Sequence, residues 1–194
     1  MERNKIIYDI LIPSLHKLYE KDYFNIRIGV SERNICARLA HHMEIIMHES
    51  NQYKDYFADV EYNRKNDGTI KHSEGYKKVS LPMVSDLIVH KRDAENNFLA
   101  VEMKRWNNYD KRKADRDRLE SIVSSPMPES RNDDCVYYTT LGAFIIYSSN
   151  KIKIEFYENM HEQGTLTGIM VFVCIFDREQ FVSLEIIKEH WFYS

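Results

Sequence analysis

An α+β fold, with one mixed central sheet (an antiparallel meander plus further strands) flanked by helices, is predicted by three observations. Several short runs rich in β-branched and large apolar residues punctuate the chain, notably Leu81–His90, Phe98–Trp106, Gly142–Ser148 and Ile169–Phe176. Between them lie segments of helical period, clearest at Ile35, Leu39, Met43 and Ile46. The length of 194 residues, with 43% apolar and 29% charged residues, suits one ordinary domain and argues against disorder.

Taken in order, residues 4–20 carry Ile6, Ile7, Ile10, Leu11, Leu15 and Leu18 and predict a packing helix despite Pro13. Ser31 is the expected N-cap of the next helix. At about 100° per residue, Glu32 falls about 60° from Ile35, within the apolar stripe at the helix start. His41, Glu44 and His48 fall on the opposite side and His42 at the border; the spacing is not His-Glu-x-x-His, so no zinc site is expected. Tyr56–Asn63 alternates and predicts the first strand, with Glu61 on the surface. The polar stretch Arg64–Ser80 predicts an excursion before the second strand.

The second and third strands carry charges where buried strands should have none. If the charge-rich stretch Lys91–Asn97 is a hairpin loop folding about Ala94, Asp86 lies opposite Glu102, with Cβ atoms about 5 Å apart. Alternation places Glu102 and Lys104 on one face, and Leu99, Val101 and Met103 on the other. Two facing acids in an apolar setting call for a positive partner, and the candidates are a divalent cation and Lys104. A salt bridge of Lys104 on a solvent-facing sheet explains less well why Val84 and Ile88 flank Asp86.

This pattern resembles the PD-(D/E)xK, or restriction-endonuclease-like, nuclease superfamily. Asp86 matches the acid of the second strand and Glu102-Met103-Lys104 the Glu-x-Lys of the third. Ser85 stands where the proline of the motif would be, with Pro82 further upstream. The resemblance covers Ser31 to Ser149, with 150–194 as a C-terminal extension of a single domain spanning 1–194. It implies a core of helix, three-stranded antiparallel meander, second helix and further strand. It also implies a metal-dependent nuclease, with DNA favoured over RNA, in repair, restriction or phage defence. Catalysis is then assigned to Asp86, Glu102 and Lys104. Mg²⁺, for which Mn²⁺ substitutes, would be held by Asp86, Glu102 and the Met103 carbonyl, with Glu32 joining from the first core helix. The competing expectation is a nucleic-acid-binding or assembly module that keeps the fold without cutting.

The segment Lys104–Arg118 holds seven bases and three acids, a local excess of +4 on a chain of net charge −3. Arg105, Lys111, Arg112, Lys113, Arg116 and Arg118 are therefore the expected phosphate track beside the site. They border a mostly charged helix over 110–124, preceded by Trp106 and Tyr109, which read as rim packing before base stacking. Pro126 and Pro128 end this helix, and Ile152–Tyr157 is expected to pair with the strand at 142–148. The tail to Ser194 is expected to form a closing helix or an interface.

Three cysteines (36, 135 and 174) have no metal-ligand spacing and predict reduced thiols. No signal-peptide pattern and no spanning apolar run is present, so a cytoplasmic protein with no membrane partner is expected. One site cuts one strand, so double-strand cleavage would require a homodimer or two visits.

Overall fold

The computed structural model describes residues 2–61, 72–74, 80–82, 84–92, 96–124, 138–161 and 163–193. Cys135, Pro126 and Pro128 lie outside them. The N-terminal helix is longer than its apolar repeat predicts. A short α1 (Glu2–Lys5) passes through one π-helical turn (Ile6–Leu11) into α2 (Ile12–Ile28), which starts with Pro13 in its first turn. Proline has no N–H to donate back into a helix, so it is accommodated where the repeat widens. A local break at Asp22 (φ −118°, ψ 15°) bends α2, and Gly29 ends it at φ 82°, a left-handed conformation that glycine adopts without steric cost.

Ser31 caps α3 (Glu32–Glu49) as expected, its hydroxyl accepting from the Asn34 N–H at 3.3 Å. Ile35, Leu39 and Met43 are buried, whereas Ile46 is half-buried and Met47 takes its place in the core.

One seven-stranded mixed sheet organises the rest. Its first half is an antiparallel meander of β1 (Phe57–Val60), β4 (Leu87–His90) and β5 (Asn96–Arg105). Between β1 and β4 an excursion contributes a separate two-stranded sheet, β2 (His72–Glu74) with β3 (Ser80–Pro82). The run from Leu81 to His90 is therefore not one strand: its start pairs with β2, and the main sheet is rejoined only at Leu87. After β5, α4 (Arg112–Val123) crosses over to β6 (Tyr138–Tyr147), which pairs with β5 in parallel. A parallel pair needs such a crossover, whereas a hairpin suffices for an antiparallel one.

Strands β7 (Lys151–Met160), β8 (Gln163–Asp177) and β9 (Gln180–Trp191) continue the same sheet antiparallel. The C-terminal segment thus extends the sheet, and the expected closing helix is instead an edge strand. Its apolar spacing misleads for a physical reason. Two register irregularities fall along the β8–β9 pairing, opposite Val171/Phe172 and Ile175/Phe176. Each inserts a residue and resets alternation, so Phe181, Leu184 and Trp191 all pack on the core at intervals that mimic a helix.

The sheet is covered on both faces. Leu99, Val101 and Met103 of β5 face the larger core with α2 and α3; Ala100 faces a smaller one formed by Leu119, Ile122 and Val123 of α4 with Phe144, Ile146 and Tyr157. Cys36 and Cys174 are free and buried. Among the described residues, no helix is long and apolar enough to cross a membrane.

Candidate active site

Strands β4 and β5 pair Leu87 with Val101, Ile88 with Ala100 and Val89 with Leu99 in the expected register, whereas an irregularity between Val89 and His90 sets His90 opposite Asn97 instead of Phe98. Asp86 sits on the bend just before β4. Its backbone carbonyl accepts from the Glu61 N–H (3.1 Å) and the Cys36 thiol (3.3 Å), and its Oδ2 accepts from the Met103 N–H at 2.8 Å. Three independent elements therefore fix this acid beside β5. Glu102 lies on the face of β5 turned to α4 and is 1% exposed.

Lys104, next along that face, points between two acids. Its Nζ lies 3.4 Å from Glu32 Oε2 and 3.3 Å from Asp115 Oδ2. Arg118, one helical turn beyond Asp115, lies 2.7 Å from Glu102 Oε1 and 3.6 Å from Asp115 Oδ1. The Glu102 contact is an ion pair by distance, without the alignment of a hydrogen bond. Four carboxylates and two cations thus share one partly buried cluster.

Their electrostatics differ with position. Burial, reinforced by the negative charge of Asp86, pushes the Glu102 carboxyl up to about 8 even though Arg118 pulls the other way. Burial likewise raises Asp86, outweighing the Met103 N–H and the Lys104 charge. Burial pulls Lys104 down, but Asp115 and Glu32 outweigh it and hold the ammonium above its ordinary range. Glu32 moves the opposite way from the other two acids. Burial raises it, yet the Arg105 N–H (2.9 Å), Asn108 (2.9 Å) and Lys104 together hold it below the usual carboxylate range.

Glu32 therefore reaches the cluster from the start of α3. The bonds it makes there tie the 105–108 turn and Lys104 to the helix. Asp115, which sequence reasoning left unassigned, is 3% exposed. Its signal was present: Asp115, Leu119 and Ile122 recur at i, i+4 and i+7, so Asp115 shares the helix face that packs on the sheet, while Ala114 is exposed.

The six bases of the expected phosphate track do not act alike. Arg105 donates to the Ile26 carbonyl, Arg112 to the carbonyls of Arg105, Trp106 and Asn108, and Arg116 to Glu155 through two bonds. Arg118 faces Glu102. Only Lys111 and Lys113 of the six are exposed. Charge reversal of Lys111 and Lys113 together should therefore weaken any polyanion binding and flatten its salt dependence while leaving the melting temperature unchanged. Reversal of Arg112 should disturb the turn itself. Unchanged affinity and salt slope in the Lys111/Lys113 double variant would show that this helix end is only a solvated face.

Elsewhere, Glu61 is exposed and pairs with Arg33 at 2.7 Å. His42 is buried 2.6 Å from Asp22, at the break in α2, while His41 and His48 are exposed.

Among the described residues, no three His, Cys, Asp or Glu side chains are grouped so as to hold a metal ion. The oxygen donors present fit a narrower demand. Mg²⁺ is commonly held by one or two carboxylates with waters completing the octahedron, and the half-buried Asp86 and the buried Glu102 are two such acids, the charge of Asp86 raising the proton affinity of Glu102. No family model, curated protein or solved structure matches the chain.

Proposed function

We propose that this chain is a metal-dependent nuclease with a PD-(D/E)xK, restriction-endonuclease-like core, hydrolysing phosphodiester bonds of nucleic acid, with DNA favoured as substrate. The observation that carries the reading is the position of Asp86 beside Glu102 in a cluster that also holds Lys104. Isolated, such an acid pair is electrostatically costly; as the seat of a divalent cation it is useful. The order α3, β1–β4–β5 meander, α4 and parallel β6 supports the same reading.

On this reading Asp86, Glu102 and the Met103 carbonyl would hold Mg²⁺ or Mn²⁺. The ion would supply charge neutralisation at the scissile phosphate and acidify a water. Lys104 keeps its proton, so its task is to stabilise negative charge and orient the attacking water. Asp115 and Glu32 act through it, as positioning residues that fix the ammonium between them. Arg118 brings a second cation to the same cluster.

A second reading, a non-cutting nucleic-acid-binding or assembly module, is favoured by one observation: Glu102 already has a cationic neighbour in Arg118, and Lys104 is held by two acids. A panel of labelled DNA and RNA, single- and double-stranded, incubated with Mg²⁺ or Mn²⁺ beside a Glu102→Ala control, separates the two. Metal-dependent cleavage absent from the control is the expected result. Binding without cleavage, together with no Mn²⁺ affinity, would leave the module.

A further inference from the structure

We propose that Tyr109 is a base-stacking platform that receives an unpaired nucleobase beside the acid–lysine cluster, making single-stranded nucleic acid the preferred ligand. The inference rests on the nuclease reading and extends it to the form of the substrate. Tyr109 is 70% exposed, so it contributes little to packing. An exposed aromatic alone would mean nothing, but this one is held. The Arg112 guanidinium lies over its ring, with Cζ 4.4 Å from the centroid. That guanidinium cannot drift, because Nε donates to the Asn108 carbonyl at 2.8 Å and Nη2 to the carbonyls of Arg105 (3.1 Å) and Trp106 (2.6 Å).

The turn itself is stapled. Asn108 N–H donates to the Arg105 carbonyl at 3.0 Å, and the Asp110 N–H to Asn108 Oδ1 at 3.2 Å. A rigid, exposed ring backed by a cation costs little to order when a second π-system lands on it.

Its position links it to the cluster. Asn108, the preceding residue, donates to Glu32 Oε1 at 2.9 Å, and Glu32 in turn contacts Lys104. The exposed Lys111 and Lys113 follow two and four residues after the ring, beyond Asp110, and carry the positive charge that a strand's phosphates would meet along the same segment. Inside a duplex each base face is covered by its neighbours, so only an unpaired or terminal base can use such a platform. The same stacking serves DNA and RNA, since every base has a π-face.

Anisotropy titrations in chelator, using labelled oligothymidylate, oligouridylate and a DNA duplex of equal length, test this. Wild type should bind one or both single strands more tightly than the duplex. Tyr109→Ala should weaken single-strand affinity roughly 5- to 100-fold, while Tyr109→Phe and Tyr109→Trp retain it, and thermal unfolding should be the same for all four proteins. Unchanged single-strand affinity in Tyr109→Ala, or a wild-type preference for the duplex, would overturn the platform and leave the nuclease reading standing. Neither binding nor cleavage of any substrate by wild type would overturn both.

Discussion

On the nuclease reading, Glu102→Gln should lower metal-dependent phosphodiester cleavage by about 10²- to 10³-fold or more, and at the same time make the metal-free protein more stable at neutral pH. The two effects have one cause. In the folded chain the Glu102 carboxyl is pushed up to about 8 from an ordinary 4.5. As pH rises, the unfolded chain releases this proton first and the folded chain holds it longer. The contribution of Glu102 to stability is therefore fully present below about 4.5, declines as pH rises, and levels off above about 8. Complete, the loss is on the order of 5 kcal/mol. The raised Asp86 adds a slope of the same sign, whereas the depressed Glu32, Asp59 and Glu155 act only at the acid end.

Glutamine keeps the shape and does not ionise, so the variant should lack most of the decline between pH 5 and 8. Thermal unfolding across that range, in chelator, measures it. On the nuclease reading, Mn²⁺ bound at Glu102 would favour the ionised acid and should flatten the wild-type slope without affecting the variant. Parallel slopes for wild type and variant would mean that Glu102 is already ionised in the folded chain and that Arg118 compensates it in full.

Gly164→Ala should lower stability by about 1–3 kcal/mol, read as a drop of roughly 2–10 °C in melting temperature. Gly164 lies near the start of β8, against α4. A Cβ built there would stand 1.9 Å from the carbonyl oxygen of Glu120 and 2.5 Å from that residue's carbonyl carbon and Cα. Backbone atoms of a helix cannot rotate away as a side chain can, so α4 would have to shift. Because the same helix carries Asp115 and Arg118, activity should fall along with stability although residue 164 touches neither. Gly168→Ala is the internal comparison: its nearest neighbours are ring atoms of Trp191, which can move, so its cost should be smaller. Equal melting temperatures for Gly164→Ala and wild type would show that β8 does not press on α4 this closely.

The central acids were legible because hairpin geometry is local. A charge-rich loop between two apolar runs sets the register of Leu87 with Val101, and the chain just before β4 then brings Asp86 onto the Met103 N–H, next to Glu102 in β5. The cap at Ser31 was legible for the same reason, since hydroxyl and N–H lie three residues apart. What was not legible depended on partners far away in sequence. Local composition counts Arg116 and Arg118 as free positive charge; the fold assigns them to Glu155 and Glu102, from β7 and β5. Asp115 was hidden by its charged neighbours, because in the almost wholly charged first half of the helix nothing but its spacing from Leu119 and Ile122 marks it as part of the buried side. The edge strand β9 was hidden by its bulges, which erase the two-residue period on which strand recognition depends.

Strand β9 also bears on how the molecule meets its own copies at high concentration. An unpaired sheet edge is a template for adding another chain. Here the outermost strand is irregular at two places and carries Glu185, Lys188 and Glu189 among its exposed Val182, Ile186 and Ile187. Bulges twist an edge away from flat pairing, and charges penalise its close approach. Behind it lies β8, whose Ile169–Phe176 run combines high β-propensity with no charge or proline, the composition of self-templating segments. The irregular strand is thus a guard rail: beyond the core contacts of Phe181, Leu184 and Trp191, its loss would turn a protected inner strand into an adhesive rim, so that precipitation would accompany loss of stability.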